Sequence, residues 1–426
     1  MTRAEKASAV LAARKPDKPE IVNINDVVYT SSAMDASNMS MIVGSDGIVL
    51  VDAGANPYAS RHIMQEFRKI TDKPLKTVIY THSHADHVGG ACGALAGEGE
   101  PDIWGRANFG CEDYLDTLLP DISKVRMARQ WGFGLPPDKF TMPLGPETMP
   151  TYAPDPQVVK RQIRPNRLMA TRSHTLEIGG IRIEMHAVPG ETSDHLCVWL
   201  PDQKILFPGD DIYASFPNLY PTRGSCYRSV QDWYESLRFM RDLGAEYMVM
   251  GHSAPLTDKD IIFEWLDSHY KAVKHVFDET VKGMNAGKGP EELAAEICLP
   301  ERLAGKSYLG EYYGNIAFSV RSIFCGLLGW FDGDAWKLNP LDPRSEAEHM
   351  AALAGGPEAL MAKAEQALRS GDPKWGAQLA SYALRLDPQD AAAKSVMADC
   401  LEEAALEISS SSGRNYMFKR AQELRG

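Results

Sequence analysis

Between residues 21 and 255 the chain alternates short apolar runs with turns and amphipathic stretches. Met41-Ile42-Val43 and Ile48-Val49-Leu50-Val51 flank Gly44-Ser45-Asp46-Gly47, the pattern of a β-hairpin closed by an Asp-Gly turn. Asp52-Ala53-Gly54 then opens a loop, residues 59–70 repeat apolar side chains at helical spacing, and residues 76–80 read as a further strand. Strand and helix signals interleaved in this way predict an α/β fold. The pattern fades over residues 107–171, where Pro136-Pro137 and seven further prolines accompany Trp131 and Phe133. That stretch is expected to be a long irregular insertion, acting as a lid or lying as a plain surface loop. Beyond His252 the spacing turns helical over residues 261–282 and 290–297, and past Asp342 it becomes alanine-rich.

The strand at residues 76–80 runs directly into Thr81-His82-Ser83-His84-Ala85-Asp86-His87-Val88-Gly89-Gly90. Four metal-ligand side chains, His82, His84, Asp86 and His87, therefore leave a strand end into a tight loop, and Gly89-Gly90 let the backbone turn and start a helix. Imidazole and carboxylate are the donors that zinc and its neighbours accept, and this many in one turn are enough for two ions. A merely solvated histidine loop would require neither the strand before it nor the glycine pair after it.

The H-x-H-x-D-H order of that loop resembles the metallo-β-lactamase superfamily, and further segments match it in order. Val188-Pro189-Gly190-Glu191-Thr192 stands at the turn of the third ligand, Lys204-Ile205-Leu206-Phe207-Pro208-Gly209-Asp210 ends in the bridging carboxylate, and Tyr247-Met248-Val249-Met250-Gly251-His252 ends in the last histidine. Glutamate at position 191, where histidine is usual, is similar to the alkylsulfatase branch. So are Phe216-Pro217-Asn218-Leu219-Tyr220-Pro221-Thr222-Arg223-Gly224, Gly310-Glu311-Tyr312-Tyr313-Gly314-Asn315 and Leu328-Gly329-Trp330-Phe331-Asp332-Gly333. Phe318 stands where primary-alkylsulfatase relatives carry a histidine proposed to protonate the leaving group.

The resemblance implies an αββα metallo-β-lactamase sandwich followed by an all-α helical domain. Its implied parts are an N-terminal extension (1–20), a catalytic domain (21–285) holding the insertion, a linking helical segment (286–345) and a helical dimerisation domain (346–426). It implies two Zn2+ per chain, one on His82, His84 and Glu191 and one on Asp86, His87 and His252, with Asp210 bridging and a metal-bridging hydroxide held by Asp210 and Asp86. Asn218 and Arg223 would grip the sulfate of a small-molecule sulfate ester, since a planar guanidinium presents two parallel N–H donors to a tetrahedral oxyanion. His195 competes with Glu191 as a ligand on chemical grounds. Another ester class (lactone, thioester, phosphoester or β-lactam) would use the same metal loop, and a catalytically silent binding protein is the third possibility. Residues 364–372 and 380–388 resemble one tetratricopeptide-like helix pair. Such a pair alone leaves an apolar face for a homodimer partner.

Composition narrows the partners. A formal charge of −12 with no Lys/Arg block excludes a nucleic-acid binder. No apolar stretch is long enough to span a bilayer, and residues 1–19 lack the apolar core of a signal peptide. Seven cysteines without short pairs read as free thiols of a reducing, cytoplasmic compartment. Of the other histidines, His62, His269, His275 and His349 are expected on helices, solvated or partly buried, and His174 and His186 near strands leading to Glu191.

Overall fold

A computed structural model of the chain describes residues 18–141 and 150–426. Most of the extension assigned to residues 1–20 lies outside them; the first strand already begins at Glu20. Two sheets form the centre. The first runs in spatial order β1 (Glu20–Asn23), β2 (Val28–Ser32), β3 (Ser40–Val43), β4 (Ile48–Val51), β5 (Leu75–Ile79), β6 (Asp102–Arg106) and β7 (Arg167–Met169). Its strands are antiparallel up to β4 and parallel from β4 onward. The second is ordered β12 (Tyr247–Met248), β11 (Ile205–Phe207), β10 (Leu196–Leu200), β9 (Ile181–Ala187) and β8 (Ser173–Ile178), antiparallel except for the β11–β12 pair.

The period-two alternation of each strand assigns its faces. Val49, Val51 and Ile79 of the first sheet meet Leu196, Val198, Leu200 and Ile205 of the second in the inter-sheet core. Ile48, Leu50 and Val78 turn the other way, against Ile63 and Phe67 of helix α1 (Pro57–Arg68). Asn56 caps α1, its side chain accepting the Tyr58 N–H at 2.9 Å, and Pro57 occupies the first helical position, where its missing N–H costs nothing. Short helices α2 (Ala85–Val88) and α3 (Ala91–Ala94) follow β5, and Gly90 is required there because a Cβ would lie 1.9 Å from the Ser60 hydroxyl. The outer face of the second sheet is covered in the same way.

The insertion is irregular only in part, between residue 132 and β7 among the described residues. It contains α4 (Tyr114–Leu118) and α5 (Pro120–Trp131), and it returns through β7 into the first sheet; residues 142–149 lie outside the described part. Periodicity concealed α5 because its buried positions are the polar Ser123 and Gln130, while Ile122 and Val125 are exposed.

Next come α6 (Val230–Asp242) and α7 (Lys259–Asn285), which set Trp233, Leu237, Val273 and Val276 against Cys197, Trp199 and Leu206 on the outer face of the second sheet. Helices α8 (Pro290–Glu296), α9 (Glu301–Ala304) and α10 (Ile316–Leu328) extend that layer, with Leu293, Leu303, Val320 and Ile323 joining the same core. The helix pair at residues 364–388 does not stand alone either. Helices α11 (Pro343–Ala354), α12 (Pro357–Arg369), α13 (Pro373–Leu386) and α14 (Ala391–Ala405) share one core of Ala347, Leu360, Ala364, Leu379, Val396 and Cys400. The last helix, α15 (Ser411–Arg425), packs on α14 and also lies on α5. His269 proves wholly buried, its ring nitrogens against the carbonyls of Trp265, Tyr213 and Ser215. Among the described residues no helix is long and apolar enough to cross a membrane.

The α5–α15 contact rests on Asn415, fully buried, whose Oδ1 accepts from Thr141 N–H (3.2 Å) and Oγ1–H (2.7 Å) and whose Nδ2 donates to the Gln130 carbonyl. Asn415→Ala leaves those donors unsatisfied, a loss of about 1–3 kcal/mol. A urea titration should show a lower midpoint of that order, and an unchanged midpoint would refute this account of the contact.

Candidate metal centre

Strand ends deliver the site. β5 stops at Ile79, and Thr81 is held by Asp52 at the end of β4, whose Oδ1 accepts the Thr81 N–H at 2.8 Å. His82 follows, His84 sits at the N-cap of α2, and Asp86 and His87 lie on that single helical turn rather than in an open loop. The β9–β10 turn supplies Glu191, the chain after β11 supplies Asp210, and the chain after β12 supplies His252. Two glycines make room. Gly209 has φ +58°, and a Cβ there would lie 2.4 Å from the His195 ring; at Gly251 it would lie 2.5 Å from Asp210 Oδ1.

The side chains gather in two groups. In the first, His82 Nε2, His84 Nδ1 and Glu191 Oε2 stand 3.0, 3.2 and 3.5 Å apart. In the second, Asp210 Oδ2 lies 3.2 Å from His87 Nε2 and 2.8 Å from His252 Nε2, and Asp86 Oδ2 lies 3.3 Å from His252 Nε2. A tetrahedral zinc with bonds of about 2.0–2.1 Å has ligand-to-ligand edges of about 3.4 Å. Both groups fit that size.

Each imidazole is fixed so that its lone pair faces inward. His87 Nδ1–H donates to Asp52 Oδ2 and His252 Nδ1–H to the Ala36 carbonyl, both at 2.8 Å. Thr81 Oγ1–H donates to Asp52, which leaves that oxygen to accept from His82 Nδ1–H at 3.0 Å. His84 Nε2–H points at Glu112 Oε2, 3.3 Å away. The Nε2 lone pairs of His87 and His252 therefore oppose each other at 3.3 Å beside two carboxylates, an arrangement of acceptors that needs a cation between them. The donor set thus fits a pair of divalent ions.

The electrostatics agree. Burial lowers the affinity of His87 and His252 for a proton, yet Asp210 and the neighbouring carboxylates reverse this and raise both well above the usual range. Burial likewise pushes Glu191 up, but the Arg228 guanidinium and His84 hold it well below the usual carboxylate range. Arg228 Nη1 donates to Glu191 Oε1 at 2.8 Å and to the Asn218 carbonyl at 2.8 Å. Asp211, whose Oδ1 accepts the Glu191 N–H at 3.0 Å, is raised well above its usual value by burial.

His195, the competitor for Glu191, is engaged elsewhere: its Nε2 accepts the Asp210 N–H at 3.0 Å. Arg223 reaches the first group, its Nη2 donating to Glu112 Oε2 at 2.9 Å, while its backbone N–H is held by Gln130 Oε1 of α5 at 2.8 Å. Asn218 is buried, with its amide Nδ2 lacking any partner. Phe318 packs its ring over Gly413 at the start of α15. Of the remaining histidines near the strands, His174 stacks on Trp104 and His186 pairs with Glu184. Sequence reading missed Asp52, Glu112 and Arg228. Only Asp52 carried a signal, as an acid closing an apolar strand immediately before a glycine turn.

Fold and site together define a metallo-β-lactamase-type protein. Residues 34–103 and 135–252 match the metallo-β-lactamase superfamily, and residues 289–426 match the family described as alkyl sulfatase dimerisation. A linear primary-alkylsulfatase of Pseudomonas sp. is 33% identical over 404 residues, covering 91% of this chain and 74% of that one. The alkyl/aryl-sulfatase of Saccharomyces cerevisiae is 26% identical over 417 residues, and this chain spans 64% of its length. The solved stereoselective inverting sec-alkylsulfatase of Pseudomonas sp. superposes with a TM-score of 0.84 over 96% of this chain and 66% of that one, at 24% identity. The chain belongs to the alkylsulfatase family of hydrolases within the metallo-β-lactamase superfamily.

Removing an acceptor that orients a metal-binding histidine typically weakens metal affinity 10–100-fold. Asp52→Ala should therefore weaken the second group by about that factor in a chelator competition. Retention of parent affinity would show that Asp52 does not set the His87 ring.

Proposed function

We propose that the protein is a binuclear zinc hydrolase that cleaves alkyl or aryl sulfate esters to the alcohol and inorganic sulfate. The observation that carries this reading is the pair of inward-facing donor groups with Arg223 and the unpartnered Asn218 amide beside them. His82, His84 and Glu191 would hold one ion, and Asp86, His87 and His252 the other. Asp210 would bridge them, which gives its buried, unpartnered Oδ1 a ligand. Bound there, two divalent cations supply Lewis acidity and make water available as a nucleophile near neutral pH.

The protein's own groups bind and orient. Arg223 presents N–H donors to the sulfate oxygens, and Asn218 Nδ2 offers another that is already desolvated. Arg228 steadies Glu191 and the Asn218 backbone at once. A lactone or β-lactam would leave the Arg223–Asn218 pair without a tetrahedral anion to hold. We read residues 21–285 as the catalytic unit, 286–345 as the link and 346–426 as the dimerisation helices. Trp330, Trp336, Leu338 and Leu353, each more than 60% exposed, supply apolar surface for a homodimer. Seven unpaired thiols fit a cytoplasmic setting.

Purified protein should carry close to two zinc ions per chain, and chelation should abolish sulfate release from a panel of primary, secondary and aryl sulfate esters. Full activity at one ion per chain would overturn the binuclear reading. Truncating a charged anion contact typically costs about 2–5 kcal/mol, so Arg223→Ala should lower kcat/KM by roughly tenfold to several-thousandfold at unchanged metal content. Undiminished sulfate-ester hydrolysis by that variant would place the anion contact elsewhere.

A further inference from the structure

Glu112 is not among the donors that face the two metal-type groups; it meets His84 from the outer side of its ring. Asp194, three residues past Glu191, fixes it there by accepting the Gly110 N–H at 3.2 Å and the Cys111 S–H at 3.6 Å. One oxygen, Oε2, then receives both Arg223 Nη2–H at 2.9 Å and His84 Nε2–H at 3.3 Å, and the carboxylate is only 10% exposed. The one guanidinium offered to an incoming anion thus arrives already neutralised, as Arg228 is by Glu191 at 2.8 Å. An oxyanion that shares Arg223 comes to rest within about 4–5 Å of the Glu112 carboxylate, where each added negative charge is penalised strongly in so dry a site.

We propose that Glu112 is a specificity-determining residue that sets a charge rule: the site admits singly charged sulfate esters and disfavours doubly charged anions. Two classes fall under the rule. Phosphate monoesters carry a second charge above a pKa of about 6, and inorganic sulfate, the product, carries two. The same carboxylate therefore discriminates against the isosteric phosphate substrate and hastens product departure. This rests on the sulfatase reading of the site, with Arg223 as the anion contact.

The test compares anions of like shape and unlike charge. Methyl sulfate and inorganic sulfate are titrated calorimetrically into zinc-loaded parent and Glu112→Gln protein, whose amide oxygen still accepts from Arg223 and His84. The ratio of their affinities should shift about tenfold or more toward the dianion in the variant. An unchanged ratio overturns the charge rule. A second arm needs no variant, in case Glu112→Gln fails to fold or to keep its zinc: on the parent, methyl phosphate should gain affinity relative to methyl sulfate as pH falls below about 6, where it becomes a monoanion. A ratio flat across that range overturns the proposal as well. Sulfate-ester turnover is assayed separately, so an absence of turnover with a shifted ratio refutes the sulfatase reading, whereas turnover with unshifted ratios refutes only the role of Glu112.

Discussion

Everything in this molecule is arranged around a cluster of acceptors that repel one another. Four imidazole lone pairs and the carboxylates of Asp86, Glu191 and Asp210 converge in space that is largely buried, with only Asp86 and His252 about a quarter exposed. Such a cluster is stable only with positive charge at its centre, as protons on the histidines or as metal ions. The surrounding structure spends conformational energy to maintain it. Asp52 adopts φ +58°, unusual for a residue with a side chain, so that one carboxylate can serve Thr81 and His87 together. The parallel pairs β4–β5 and β11–β12 bring four strand ends to one edge, where the inter-sheet core holds them rigidly.

Charge compensation proceeds outward in layers. Glu191 is neutralised by Arg228, and burial beside Glu191 and Asp210 raises the proton affinity of the adjoining Asp211. Glu112 carries the next charge, held down at about 2 against its own burial by His84, Arg228 and Arg223. The two arginines therefore act less as free positive charges than as fixed donors whose direction is set by a partner. This explains why a lysine at either position would not be equivalent, since it lacks the planar fork that satisfies two acceptors at once.

Much of this was legible in the sequence because the metal-type donors fall at strand ends, and strand ends are what hydrophobic periodicity marks. His82 to His87 occupy six consecutive positions, and Asp210 and His252 each close an apolar run. The β/α alternation likewise follows from local pattern. What stayed hidden depends on distant partners. Glu112 and Arg228 look like surface charges until the fold sets them against His84 and Glu191, 28 and 37 positions away. Helix α5 hides for a different reason: its fully buried positions are Ser123 and Gln130 while Ile122 and Val125 are exposed, which blurs the amphipathic pattern. Its Gln130 is buried because it serves the site.

That glutamine shows why the helical C-terminal part is not an appendage. Gln130 Oε1 accepts the Arg223 N–H and the Thr222 hydroxyl, and Arg126 donates to the Thr222 carbonyl, so α5 fixes the whole arm that carries Arg223. Helix α15 in turn fixes α5 through Asn415 and the Arg129–Glu423 pair. The start of α15 reaches the other wall, where its N-cap Ser410 and Ser412 both donate to the Tyr313 carbonyl. Tyr313 itself packs near Tyr213, whose hydroxyl accepts the Asn218 N–H at 2.6 Å. Arg223 and Asn218 therefore both take their positions from contacts that end at the last helix, and the geometry of the site depends on residues about 160 or more positions beyond the last metal-type side chain, His252.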